Sequence, residues 1–296
     1  MALPATSTLP GPTAIEERAL GPDLTRAVML WFIALANSHY FIDAPRILGG
    51  YPRDSGSVDS AVTWVISSFV DGRAFPLFGL LFGYGVAQQE RAGEAERTEQ
   101  HDDGLGLWAG RRRILERPEA HRRMLGVVAV IGIGAGVLGA QPFSLVVAGV
   151  VPLQGDEALG LANALHTVTG VLGGAGYAVA LALLSVRLAG SPGRGVRALA
   201  ATGQRSMTCY LAQSVVCSIA FTPFVLDLAG RVTAATTALL ATATWLATVV
   251  LADRLARTGR RGPFEVLLRR ATYGRPQRPG EREPGDAASV GSARTS

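Results

Sequence analysis

The sequence predicts an all-α fold: a polytopic transmembrane helix bundle with about six crossings and both termini in the cytoplasm. Only 17% of the 296 residues are charged and 48% are apolar, whereas about 25% of an ordinary globular domain is charged. Residues 124–140 and 232–251 carry no charge, and runs of this length match a hydrocarbon core about 30 Å thick. These features exclude a soluble catalytic domain, a disordered chain and an outer-membrane barrel.

Six apolar runs are the predicted crossings, in chain order 24–42, 61–87, 124–151, 159–186, 207–228 and 232–252. Two runs are irregular. Residues 58–70 include several polar side chains, so we expect them to lie along the outer interface, with 75–87 as the crossing proper. Gln141 and Pro142 interrupt the third run, so residues 143–151 are either a kinked continuation or an interfacial piece.

The arginines orient the bundle. Eight lie in residues 88–123, four in 187–205 and ten from 254 onwards, whereas the other three connections hold few. Because basic residues concentrate in cytoplasmic loops, this alternation places both termini inside a bacterial plasma (inner) membrane. It also accounts for the net charge of +5 without nucleic acid as a partner.

The chain therefore divides into three parts. Residues 1–22 are predicted to be a disordered cytoplasmic tail without a cleavable signal peptide, and 275–296 a second disordered tail. Residues 23–274 form the membrane domain, with 88–123 as an arginine-rich cytoplasmic loop. Glycines four residues apart, as at Gly132 and Gly136, predict close helix packing.

Ionisable side chains inside a crossing are candidate functional residues because they are costly in lipid. Asp23 and Arg26 are spaced to form a structural ion pair at the cytoplasmic boundary. Six other polar residues share a depth near the outer face and predict an outward-facing binding pocket: Asn37, His39, Asp43, Asp71, Arg73 and His166. Alternatively, these side chains only snorkel into the outer headgroups.

Metal and other cofactors are not expected. Cys209 and Cys217 lie eight residues apart in one apolar run, a spacing that suits helix packing better than a disulfide or metal site. The expected partners are membrane lipids and an unknown small-molecule or lipid substrate, and the oligomeric state stays open.

Four segments carry a resemblance to a known family. Residues 73–87 read RAFPLFGLLFGYGVA, 203–214 read GQRSMTCYLAQS, 262–274 read GPFEVLLRRATYG, and DLTR at 23–26 is followed by Asn37. In order and relative spacing they resemble the bacterial YeiB-like membrane family, also called domain of unknown function 418. The middle departs from the family pattern: no counterpart of its "GDIL" element follows the run of arginines at 111–113. An inactive shortened paralogue is therefore one alternative.

The resemblance implies a function as well as a fold. Members of the family are commonly described as transport proteins, which favours transport or the handling of a small molecule or lipid, with Arg73 as an anchor for an anionic group and Asp43 or Asp71 as its counter-ion. The first helix is also similar to that of membrane acyltransferases, which carry a catalytic histidine where this chain has Asn37. The alternative is a transmembrane acyltransferase acting on a sugar or lipid hydroxyl, with His39 or His166 as the general base.

Overall fold

A computed structural model describes residues 20–53, 56–83, 122–152, 155–260 and 262–273. These residues are mainly helical with almost no strand, which confirms the all-α prediction. The helices are α1 (Leu20–Ser38), α2 (Ser57–Phe69), α3 (74–83), α4 (Arg122–Val147), α5 (Asp156–Ala189), α6 (Arg194–Gln204), α7 (Ser206–Phe221), α8 (Ala234–Arg257) and α9 (Pro263–Tyr273). Short 3₁₀ helices span His39–Phe41 and Ala229–Arg231, and strands β1 (Ile47–Leu48) and β2 (Tyr51–Pro52) form an antiparallel hairpin.

Four segments are long and apolar enough to cross a membrane: Ser57–Gly83, which contains α2 and α3, and the helices α4, α5 and α8. Large apolar side chains such as Val130, Leu138 and Leu161 are more than 70% exposed on α4 and α5. Surfaces of this kind are favourable only against lipid or a partner. The protein is a helical membrane bundle. The six predicted crossings include these four segments and also α1 and the shorter apolar helix α7.

Helix α1 lies inside the bundle. It packs against α2, α5, α6, α7 and α8, and its residues Met29 and Leu30 join Leu77 and Ala178 in a buried cluster. Helix α1 begins at Leu20, just within the predicted tail 1–22. The rest of that tail, the tail 275–296 and nearly all of loop 88–123 lie outside the described residues.

The bounds of three predicted runs differ from those of the observed helices, and prolines and a glycine explain the differences. The second run breaks between α2 and α3, where Gly72 has a φ of +74°. Pro142 lies inside α4, which continues unbroken to Val147, so the continuation rather than a separate piece is correct. Helix α7 ends at Phe221 instead of reaching residue 228, because Thr222 precedes a proline and is extended.

Glycines bring α4 and α5 together, as predicted. A Cβ added at Gly132 would lie 2.7 Å from the Leu172 carbonyl oxygen, and one added at Gly136 would lie 2.9 Å from the Gly173 Cα. Backbones this close leave no room for side chains between them. The resulting helix pair forms one side of the region where the predicted site residues meet.

Candidate functional site

Arg73 is the last residue of the break between α2 and α3 and is completely buried. Its Nη1 donates to the carbonyl oxygens of Ser67, at 3.1 Å, and Asp71, and its Nη2 donates to the Gly136 carbonyl of α4. The first acceptors are carbonyls left without a helical partner near the end of α2. Arg73 therefore joins the broken segment to α4.

His166 of α5 completes this buried group. Its Nε2 lies 3.0 Å from Arg73 Nη1 and 2.9 Å from the Ser67 carbonyl oxygen. Because an arginine N–H can only donate and a carbonyl oxygen can only accept, the tautomer decides the bond. With the proton on Nε2, His166 donates to Ser67 and leaves Nδ1 free to accept, whereas with the proton on Nδ1, Nε2 accepts from Arg73. Gly72 makes the approach possible, because a Cβ there would lie 2.8 Å from His166 Cε1. The sequence predicted a common depth for Arg73 and His166, and the structure brings them into contact.

Asp71 is held in place from two sides. Its Oδ1 accepts from the Gly72 amide at 2.8 Å, and its Oδ2 accepts from the Tyr51 hydroxyl at 3.0 Å. Tyr51 comes from the hairpin and is only 1% exposed. Burial first, and then the Asp71 carboxylate, raise the pKa of the Tyr51 phenol well above its ordinary value, so the phenol remains a donor at neutral pH.

His39 lies on the other side of Tyr51. Its ring stacks on Tyr51 with centroids 3.9 Å apart and lies 4.1 Å from the centroid of Tyr40. The side chain is 3% exposed, and neither ring nitrogen has a hydrogen-bond partner. His39 is therefore enclosed by aromatic rings and by the turn at Gly50.

Asn37 and Asp43 do not join the other predicted residues. Asn37 donates from Nδ2 to the Ile33 carbonyl of its own helix at 2.8 Å. Asp43 is exposed, and its amide bonds the Ala229 carbonyl at 3.0 Å. Neither side chain lines the cleft described next.

An open cleft of about 800 Å³ lies above the buried Arg73. Asp71 and His166 are on its wall, but Arg73 and His39 are not. Helix α5 contributes half of the remaining lining, namely Asp156, Leu159, Gly160, Asn163, Thr167 and Val171. The other lining residues are Tyr40, Gly49, Gly72, Phe75, Pro76 and Phe143.

The α5 residues on the cleft wall were missed in the sequence reading. Asp156, Asn163 and Thr167 recur at helical spacing with His166, on one face of α5. A polar stripe beside an in-membrane histidine is the signal that could have identified them. Within the described residues, no group of three or more His, Cys, Asp or Glu side chains could hold a metal ion.

A second polar group, here called the latch, joins α7 to α9. Thr208 donates from its amide to Glu265 Oε1 at 3.0 Å, and its hydroxyl bonds Oε2. Arg205 is 4% exposed and donates from Nη2 to the Arg260 carbonyl at 2.8 Å. Gly203 packs so closely on α1 that a Cβ would overlap the Asp23 carbonyl. Three of the resembling segments therefore meet at the latch.

Asp23 also lies beside its predicted partner. Arg26 Nη1 is 3.2 Å from Asp23 Oδ1, and the Asp23 side chain is almost fully buried while that of Arg26 is about one quarter exposed. The pair lies next to the latch, at the end of α1 opposite to His39. This placement suits a structural role.

Comparison with known proteins gives one match. A family model described as "Protein of unknown function (DUF418)" matches residues 109–275, which is more than half of the chain. No curated protein and no solved structure matches. The similarity to membrane acyltransferases is not among these findings.

Proposed function

The chain belongs to the DUF418 family of proteins of unknown function, and we propose its role from the geometry of the cleft. The protein is an integral plasma-membrane protein that binds a small polar molecule or a lipid headgroup in the cleft. It takes part in the transport or handling of that ligand. The observation that carries the proposal is the open cleft of about 800 Å³. Ligand sites are typically concave, with a few polar groups set among apolar and aromatic residues.

The helix break beneath the cleft supports a binding role. Residues 70–73 interrupt a segment long enough to cross the membrane. Non-helical backbone at membrane depth is tolerated where it is buried in protein or lines a water-filled cavity. Interrupted membrane helices are also how many transporters build their substrate sites.

The environment of the two histidines favours binding over catalysis. His39 is enclosed by Tyr40 and Tyr51 and is absent from the cleft wall. His166 reaches the cleft, but its Nε2 already contacts Arg73 and Ser67. A general base must reach the proton that it removes, so the acyltransferase alternative depends on His166 Nδ1.

Gly160 provides the test. It lines the cleft, and a Cβ added there would have no atom within 4 Å, so Gly160→Trp should fill the cleft without disturbing the buried groups. The matched control is Leu161→Trp, because Leu161 is 74% exposed on the same helix and is not a lining residue. Both variants would be expressed in a deletion strain at the wild-type level.

Comparative profiling of lipids and exported metabolites then gives the readout. We expect Gly160→Trp to reproduce the profile of the deletion strain and Leu161→Trp to restore the wild-type profile. Retention of a metabolite would indicate transport, and an altered lipid composition would indicate lipid handling. Full restoration by Gly160→Trp would contradict the proposal.

A further inference from the structure

The charge of the cleft wall indicates which ligands it accepts. Two lining residues carry a formal charge at neutral pH, Asp71 and Asp156, and both are acidic. Arg73, the nearest predicted anion anchor, is completely buried and donates to three carbonyl oxygens. Within the described residues, a ligand in the cleft therefore contacts carboxylates and no guanidinium, while the buried Arg73 is near enough to Asp71 to interact with its charge.

Asp71 is oriented for this task before any ligand arrives. The Tyr51 hydroxyl and the Gly72 amide each occupy one position on the carboxylate. An ionised carboxylate has about four lone-pair positions, so at least one on each oxygen stays available. Tyr51 and Gly72 thus fix the direction of the carboxylate without neutralising its charge.

Aromatic rings share the cleft with the two carboxylates. Tyr40 and Phe75 are both more than 60% exposed, and they line the cleft together with Phe143. The face of an aromatic ring attracts an organic cation, and the attraction is stronger for ammonium groups that shed their water easily. Within the described residues, no group of three or more His, Cys, Asp or Glu side chains could hold a metal ion, so an organic cation suits this lining better.

We propose that the cleft binds an ammonium group, from either a free organic amine or an ethanolamine-type lipid headgroup. The inference rests on the proposed function, since it assigns the charge of the ligand for that same cleft. It replaces the expectation of an anionic ligand on Arg73.

The test uses the full-length protein in nanodiscs. In phosphatidylglycerol nanodiscs, ethanolamine, tetramethylammonium and inorganic phosphate are titrated by calorimetry at millimolar concentrations. A second arm measures whether phosphatidylethanolamine added to the nanodisc binds the protein, by native mass spectrometry. Free-amine binding identifies a soluble ligand, and retention of phosphatidylethanolamine alone identifies a lipid headgroup.

Asp156→Asn is the main variant, because Asp156 is exposed and its loss should not impair folding. Asp71→Asn is the second variant. Neutralising one exposed carboxylate should weaken ammonium binding about fivefold. The control is Glu157→Gln, which removes the same charge from the next residue, outside the cleft wall, and should have a smaller effect.

The test distinguishes failure of the ammonium assignment from failure of the cleft as a binding site. Phosphate binding that is blocked by Gly160→Trp and unaffected or strengthened by Asp156→Asn would overturn the ammonium assignment, while the cleft would remain a binding site. Ammonium binding unchanged in both Asp156→Asn and Asp71→Asn would overturn it as well, as would no binding of any ammonium probe in either arm. Binding that persists in Gly160→Trp would contradict the cleft itself.

Discussion

A buried arginine that donates to backbone carbonyls lies beside the cleft and another lies in the latch, yet the carboxylates of the two regions differ in their surroundings. At the latch, Arg205, Thr208 and Glu265 are all bonded within the protein, and glycines at 203 and 262 bring the backbone and side chains into direct contact. Beside the cleft, Arg73 is likewise bonded to backbone carbonyls, but Asp71 and Asp156 lie on the cleft wall. A buried arginine bonded to backbone carbonyls therefore joins helices at one end of the bundle and borders an open cleft at the other.

The largest expected difference concerns the two arginines. Arg73→Met would break the buried bonds to the carbonyls of Ser67, Asp71 and Gly136, and the loss of three such bonds should cost about 3 kcal/mol. Arg205→Met should cost about 1–2 kcal/mol, because its acceptor at the exposed Arg260 can bond water instead. Denaturation of both variants in one detergent measures the free energies of unfolding. Equal losses would remove the distinction between the two arginines.

Glycine substitutions compare the two regions directly. Gly203→Ala would force a Cβ onto the Asp23 carbonyl, and overpacking of backbone typically costs about 1–3 kcal/mol. Gly160→Ala places its Cβ in open space and should stabilise α5 by about 0.5–1 kcal/mol, because alanine favours the helix. The melting temperatures of the two variants should move in opposite directions. A Gly203→Ala protein as stable as the wild type would contradict the tight contact.

Neutralising a carboxylate should also affect stability differently in the two regions. Glu265→Gln at the latch weakens the bonds to the Thr208 amide and hydroxyl, and we expect a loss of about 1–2 kcal/mol. Asp156→Asn at the cleft should leave stability within about 0.5 kcal/mol, because the side chain is exposed. Thermal unfolding measures the stability of both variants. Ligand titration should show that Asp156→Asn weakens binding while the stability is kept. A destabilised Asp156→Asn protein would assign the cleft carboxylate a structural role.

The smallest expected effect belongs to His39. Its ring nitrogens are buried without partners, so His39→Phe keeps the stacking on Tyr51 and removes two unsatisfied polar atoms, with a change in stability of at most about 1 kcal/mol. The lipid and metabolite profile should also be retained. Loss of activity in a stably folded His39→Phe protein would instead support catalysis by this imidazole.

Sequence predicts depth in the membrane better than rotation about a helix axis. Arginine alternation and run length placed Arg73 and His166 at one level, and the two side chains are in contact. Asn37 was assigned to the same region, but it turns back to the Ile33 carbonyl of its own helix. Depth follows from the number of residues along an axis, whereas rotation depends on packing partners that one sequence does not specify.

Backbone breaks were predictable only where a residue type requires them. Pro223 ends α7 early because the residue before a proline avoids the helical region, and the sequence alone could have shown this. Pro142 remains inside α4, where tertiary packing outweighs the lost hydrogen bond. The hairpin that supplies Tyr51 to Asp71 is only two short strands, too brief to give a periodic signal.

Helix α5 is longer than a bilayer is thick. Its 34 residues extend about 51 Å at 1.5 Å per residue, against a hydrocarbon core of about 30 Å. The polar stripe from Asp156 to Thr167 occupies roughly the first 17 Å of that axis, which is close to the excess length. Helix α5 therefore fits the bilayer either by tilting or by placing this stripe among the headgroups. The thickness of the surrounding bilayer thus helps to set how deep the cleft lies in the membrane. A change in lipid chain length would alter this depth without any lipid binding in the cleft.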